Sequence, residues 1–141
     1  MSVKKRYVLY ASALLGSLLL AAVGYAWKSA AVFDPVTRAE LGTVQAQIGL
    51  AANPAAVLQR NELRITLQAA DGAPVRDARI AVELVMPDML CGTFKVKLEQ
   101  TGPGLYTGEA VPLMPGTWQA EASFGLDGGT FTAVHRFEAA R

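Results

Sequence analysis

The chain is predicted to be all-β: an immunoglobulin-like antiparallel β-sandwich of about seven strands, preceded by one N-terminal transmembrane helix. Three observations support this. Tyr7 to Trp27 is a run of 21 residues without a charge, apolar residues recur at every second position from residue 43 onward, and Gly-, Pro- and Asp-containing stretches punctuate those runs.

The uncharged run YVLYASALLGSLLLAAVGYAW is long enough to cross a hydrocarbon core, since about 20 helical residues at 1.5 Å each span about 30 Å. Lys4, Lys5 and Arg6 precede it, so residues 1–6 form a basic tip expected to stay in the cytoplasm while everything after Trp27 crosses the membrane. Tyr7 and Trp27 fall where interfacial aromatic rings are favoured. A cleaved signal peptide has a shorter apolar stretch, of about 7–15 residues, before a small-x-small site. Gly24-Tyr25-Ala26 is a marginal site of that kind, and an uncleaved anchor is the expectation. No Cys follows the run, which argues against a lipoprotein.

Residues 28–42 carry little apolar surface and are expected to be a tether, with one helical turn after Asp34-Pro35. The sandwich is expected over 43–141. Val44, Ala46, Ile48 and Leu50 alternate with polar neighbours, and so do Leu63, Ile65, Leu67 and Ala69. Ile80, Val82, Leu84 and Met86 share one face of the next strand, and Phe94, Val96 and Leu98 share one face of the fourth. Tyr106 to Val111, Trp118 to Gly125 and Thr130 to Glu138 complete the seven. Asp71-Gly72-Ala73-Pro74, Thr101-Gly102-Pro103-Gly104 and Asp127-Gly128-Gly129 supply residues that turns require.

Composition narrows the function classes. Of 13 Lys+Arg, three precede the apolar run, so ten face 12 Asp+Glu beyond it, a net of −2 without a basic stripe. Nucleic-acid binding gets no support from that balance. One Cys forms no internal disulfide. Cys91 and His135 lack a third orienting group, and no inward carboxylate pair is evident, so catalysis is not expected, nor is a small-molecule substrate.

What remains is a set of soft donors. Met86-Pro87-Asp88-Met89-Leu90-Cys91 and Met114-Pro115-Gly116-Thr117-Trp118 occupy two connections that a meander of alternating strands places at one end of the sandwich. On the last strand, His135 shares inward parity with Phe131, Ala133 and Phe137. Met86, Met89, Cys91, Met114 and His135 are therefore the candidate metal ligands. Thioether and thiolate favour Cu(I), whereas a zinc site needs several Cys or His, and this chain has one of each. The competing reading is packing: Met86 continues an inward set, Cys91 closes a loop, Met114 is a lid and His135 is a neutral core residue.

Gly49 to Pro54, Asn61 to Leu67, Asp71-Gly72-Ala73-Pro74-Val75, Met86-Pro87-Asp88-Met89, Gly104-Leu105-Tyr106 and Leu113 to Trp118, in this order and spacing, resemble the YtkA-like domain family. The chain is also similar to FixH proteins, which place a comparable domain after a single transmembrane helix. The resemblance covers about 95 residues, nearly all of the chain beyond the tether. It implies a β-sandwich on the periplasmic face of a bacterial inner membrane, concerned with copper handling or haem-copper oxidase assembly. It also implies a respiratory oxidase or copper-transport protein as partner. After the second Met of the first loop, many relatives continue with Gly and sometimes His. Here Leu90-Cys91-Gly92 follows, which either exchanges an imidazole for a softer thiolate or marks a lost site. The expected function is that of a membrane-anchored copper-binding accessory protein. The alternative is a non-catalytic docking subunit of a larger inner-membrane complex, without metal.

Overall fold

The computed structural model describes residues 33–141. The predicted membrane span and basic tip lie outside them, and the described residues contain no helix.

Ten strands form two five-stranded sheets. They are β1 (Val36–Leu41), β2 (Val44–Leu50), β3 (Ala55–Ala56), β4 (Asn61–Ala69), β5 (Arg79–Val85), β6 (Phe94–Val96), β7 (Leu98–Gly102), β8 (Leu105–Ala110), β9 (Gly116–Leu126) and β10 (Gly129–Ala140). One sheet has the order β1-β2-β4-β8-β7 and the other β3-β10-β9-β5-β6. All pairings are antiparallel except β3 with β10.

The period-two pattern marks the inner faces of both sheets. Ala46, Ile48, Leu63, Ile65, Leu67 and Tyr106 from one sheet meet Val82, Leu84, Trp118, Phe124 and Phe137 from the other, all buried. Burying one such side chain contributes about 1.5–3 kcal/mol, which makes this interior the main source of cohesion.

Three expectations are corrected. Residues 36–41 of the predicted tether are strand β1, paired in register with β2 from Val36↔Gly49 to Leu41↔Val44. Its inward residues Thr37, Ala39 and Leu41 are together too weakly apolar to announce a strand.

 The Gly42-Thr43 turn, with Gly42 at φ +67°, closes the hairpin, and Ala39 sits opposite Ala46 within it. The strand expected over Phe94, Val96 and Leu98 is divided at Lys97, because β6 pairs with β5 while β7 pairs with β8 in the other sheet. Gly108 permits the switch: a Cβ there would stand 2.6 Å from the Lys97 carbonyl oxygen. The topology is also not a simple meander, since β4 to β5 and β8 to β9 cross between sheets.

The sandwich has two distinct ends. The turn end carries residues 42–43, 70–78, 103–104 and 127–128. The loop end carries residues 51–60, 86–93 and 111–115, together with the C-terminal residues of β10.

Candidate functional site

The two methionine-bearing loops do lie at one end. Val85 pairs with Gln119, and Ala139 pairs with Gly116, so the end of β5, the start of β9 and the end of β10 coincide. Met86 reaches over the start of β9, since a Cβ on Gly116 would stand 3.1 Å from the Met86 terminal methyl. The antiparallel run of each strand onto the next places them together, although the crossovers differ from the meander.

The five candidate ligands occupy different surroundings. Met86 is buried in the core, continuing the inward set of Val82 and Leu84. The Met89 side chain is 51% exposed, and its amide donates to the Met86 carbonyl at 3.2 Å, which forms the turn that lifts it from the core. Cys91 is a part-buried free thiol against the edge of the core, with Sγ 3.8 Å from the Met89 carbonyl oxygen. Met114 packs on the same core edge, and its carbonyl accepts the Trp118 indole N–H at 2.9 Å. That bond fixes the second loop to a buried aromatic ring, which also meets Phe94 at 6.0 Å between centroids.

His135, expected to approach these loops, is turned elsewhere. Its Nδ1 shares a 2.9 Å hydrogen bond with Thr37 Oγ1 of β1, across the two sheets. Its ring stacks near Phe137, with centroids 6.2 Å apart. Burial pushes the imidazole pKa below its ordinary 6.5, because the charged form loses hydration. His135 lies on β10 and Met86 directly follows β5, and β9 stands between those two strands. The structure thus groups Met86, Met89, Cys91 and Met114 at the loop end and gives His135 to the junction of the sheets. Among the described residues, no group of three or more His, Cys, Asp or Glu is arranged to hold a metal ion.

Two positioning residues were not identified in the sequence. Buried Asn61 accepts from the Ala56 amide at 2.8 Å, and its Nδ2 donates to the carbonyls of Ala56 and Gln59 at 2.9 Å and of Ala110 at 3.2 Å. It holds the 56–60 loop to the end of β8. At the turn end, the Tyr106 hydroxyl donates to the Val75 carbonyl at 2.9 Å and accepts from the Ala78 amide at 3.0 Å. An Asn opening a strand, or a Tyr at an inward position, signals such a bond only once the facing backbone is known.

Residues 39–123 match the family model described as YtkA-like. The chain belongs to the YtkA-like family. Its fold is shared with a DUF4785 family protein from Legionella pneumophila subsp. pneumophila, at 10% identity and a TM-score of 0.53, over 70% of this chain and 29% of that one. The match thus spans less than a third of that structure. An engineered protein aligns at 19% identity and TM-score 0.49, over 77% of this YtkA-like chain and 21% of its own. The Lin-41 filamin domain aligns at 14% identity and TM-score 0.47, over 80% of this chain and 99% of its own. No curated protein matches the chain.

Proposed function

We propose that this YtkA-like protein is a membrane-anchored periplasmic accessory factor that binds Cu(I) at its loop end, in haem-copper oxidase assembly or copper homeostasis. The observation supporting the reading is that the connections after β5 and before β9, which carry all the sulfur-bearing residues beyond Met1, share one end of the sandwich. Their chemistry fits a soft monovalent cation. Met89, Cys91 and Met114 are the residues that would hold it, because each is at least partly accessible or lies at the core edge. Met86, being buried, would support them from beneath. The anchor at 7–27 and the similarity to FixH proteins supply the cellular setting, with a respiratory oxidase or copper-transport protein as partner.

The test is a Cu(I) titration under reducing conditions against a competing chelator. Cys91→Ser should weaken binding strongly, and Met89→Leu or Met114→Leu less, since Leu preserves volume and thioether is the weaker donor. Equal affinity for wild type and the triple variant would end the copper reading. It would promote the metal-free docking subunit, which the apolar residues exposed on the same loops favour.

A further inference from the structure

Leu58, Met89, Leu90 and Leu113 are the large hydrophobic side chains exposed in loops among the described residues, and all four lie at the loop end. Leu90 is fully exposed and Leu58 70% exposed. The remaining two exposed large hydrophobics, Val36 and Val134, are on strands. The turn end instead displays Asp71, Asp77 and Asp127 against Arg76, all exposed, a net of −2 across its connections.

The loop tips are held in place. The Leu58 amide donates to the Pro112 carbonyl at 2.9 Å, and Val57 donates to Ala140 at 2.9 Å. Leu58 has φ +59°, a conformation that is strained for a bulky residue and persists only where the surroundings hold it. The bonds of Asn61 to Ala56 and Gln59 bracket it. Leu58 and Leu113 therefore stand on loops tied to each other, and Met86 ties the Met89-Leu90 loop to the start of β9.

We propose that the loop end docks on the lipid bilayer, with Leu58, Leu90, Leu113 and Met89 inserted among the headgroups. The inference rests on the reading of residues 7–27 as a membrane span. Eight residues separate Trp27 from Val36, so the nine steps between them reach at most about 30 Å. Val36 pairs with Gly49, one residue before β2 ends at Leu50, and β1 then runs away from the loop end. The loop end is thus within reach of the surface from which the chain emerges. Isolated apolar tips bind bilayers weakly, but a tether raises the local concentration of bilayer enough for a few side chains to matter. Its net negative charge makes the turn end the poorer match for an anionic leaflet. Docking would set the proposed copper ligands at the headgroup level.

The test uses the full chain in nanodiscs of phosphatidylcholine and phosphatidylglycerol carrying nitroxide-labelled headgroups. A fluorescent amino acid replaces Asp88, in the Met89 loop, or Asp127, at the far turn. β10 extends about 40 Å between the two ends, well outside contact quenching. Quenching at 88 should exceed that at 127 at least about threefold. Leu58→Ser, Leu90→Ser and Leu113→Ser together should bring the 88 reporter down to the level at 127. Equal quenching at the two positions, no change in the triple variant, or quenching at 88 only after membrane proteins are added would each overturn the proposal, the last in favour of a protein partner. Flotation with vesicles after an alkaline wash separates the two readings. Loss of co-flotation removes the anchor and this proposal with it, whereas co-flotation with equal quenching removes this proposal alone.

Discussion

The two ends of the sandwich are both closed by backbone hydrogen bonds but expose different tips. At the turn end, backbone closes on backbone: Leu67 donates to Gly104 at 2.8 Å, Ala69 to Ala73 at 2.8 Å, Ala70 to Thr43 at 3.0 Å and Val75 to Leu67 at 3.1 Å. Tyr106 adds its hydroxyl to the same knot. Gly104 is so enclosed that a Cβ there would lie 2.5 Å from the Leu67 carbonyl oxygen. At the loop end, Ala51 donates to Glu62, Val57 to Ala140 and Leu58 to Pro112, each at 2.9 Å, the side chains of Asn61 and Trp118 add further bonds, and the loop tips are apolar and exposed. The turn end exposes mainly polar and charged residues, whereas the loop end presents large apolar side chains outward. Binding residues are disproportionately carried by loops that a rigid scaffold positions, as both sheets position these.

This contrast is open to direct attack by urea denaturation of residues 33–141. The reference substitution is Leu84→Ala, in the core shared by both ends, with an expected loss of about 2–5 kcal/mol. An unchanged midpoint would show that the inner face of β5 is wrongly assigned. Gly104→Ala should follow at more than about 2 kcal/mol, because a positive φ of 65° and a backbone clash combine. A mild effect would mean that the turn end is less closely knit than its bonds imply.

Asn61→Ala should cost about 1–3 kcal/mol by leaving the Ala56 amide and several carbonyls without their partner. Hydrogen exchange should quicken at Ala56 to Gln59 before it does at Leu67 or Val75. Equal change at both ends would dissolve the distinction between them.

His135 sharpens the comparison from outside either end. Its folded-state pKa is lowered by burial, so the unfolded chain takes up a proton first as the pH falls below 6.5. Its contribution is intact above pH 6.5 and is lost as the pH drops from there through the folded-state value. His135→Gln should flatten that part of the stability profile relative to wild type, and parallel profiles would assign the acid sensitivity elsewhere. Smallest of all, Leu58→Ser with Leu113→Ser should shift stability by no more than about 0.5 kcal/mol, because neither exposed side chain leaves a cavity. A larger loss would show that these tips are structural and would weaken the docking proposal.

Much of this arrangement was legible in the residues. The inward sets Leu63-Ile65-Leu67, Val82-Leu84-Met86 and Ala133-His135-Phe137 are buried as their parity requires, since side chains on a strand alternate faces whatever the strand's partners. The shared end of the two methionine loops was legible for a related reason, because successive strands reverse direction. Strand β1 was hidden because Thr37 and Ala39 are weakly apolar, and β3 because two residues show no period. The Lys97 division was hidden because alternation continues through it while the hydrogen-bonding partner changes.

Sequence alone determined what is local or periodic: an uncharged run long enough to span a bilayer, the two faces of each long strand, the turns and the supply of soft donors. Tertiary structure decided what depends on distant neighbours. It joined β1 to the sheet, turned His135 toward Thr37 rather than the sulfur-bearing loops, buried Met86 while lifting Met89, and collected four exposed apolar tips at one end. The physical reason is that alternation specifies which way a side chain points from its own strand, whereas burial, hydrogen-bond partners and exposure are properties of the chain segments that come to lie opposite it.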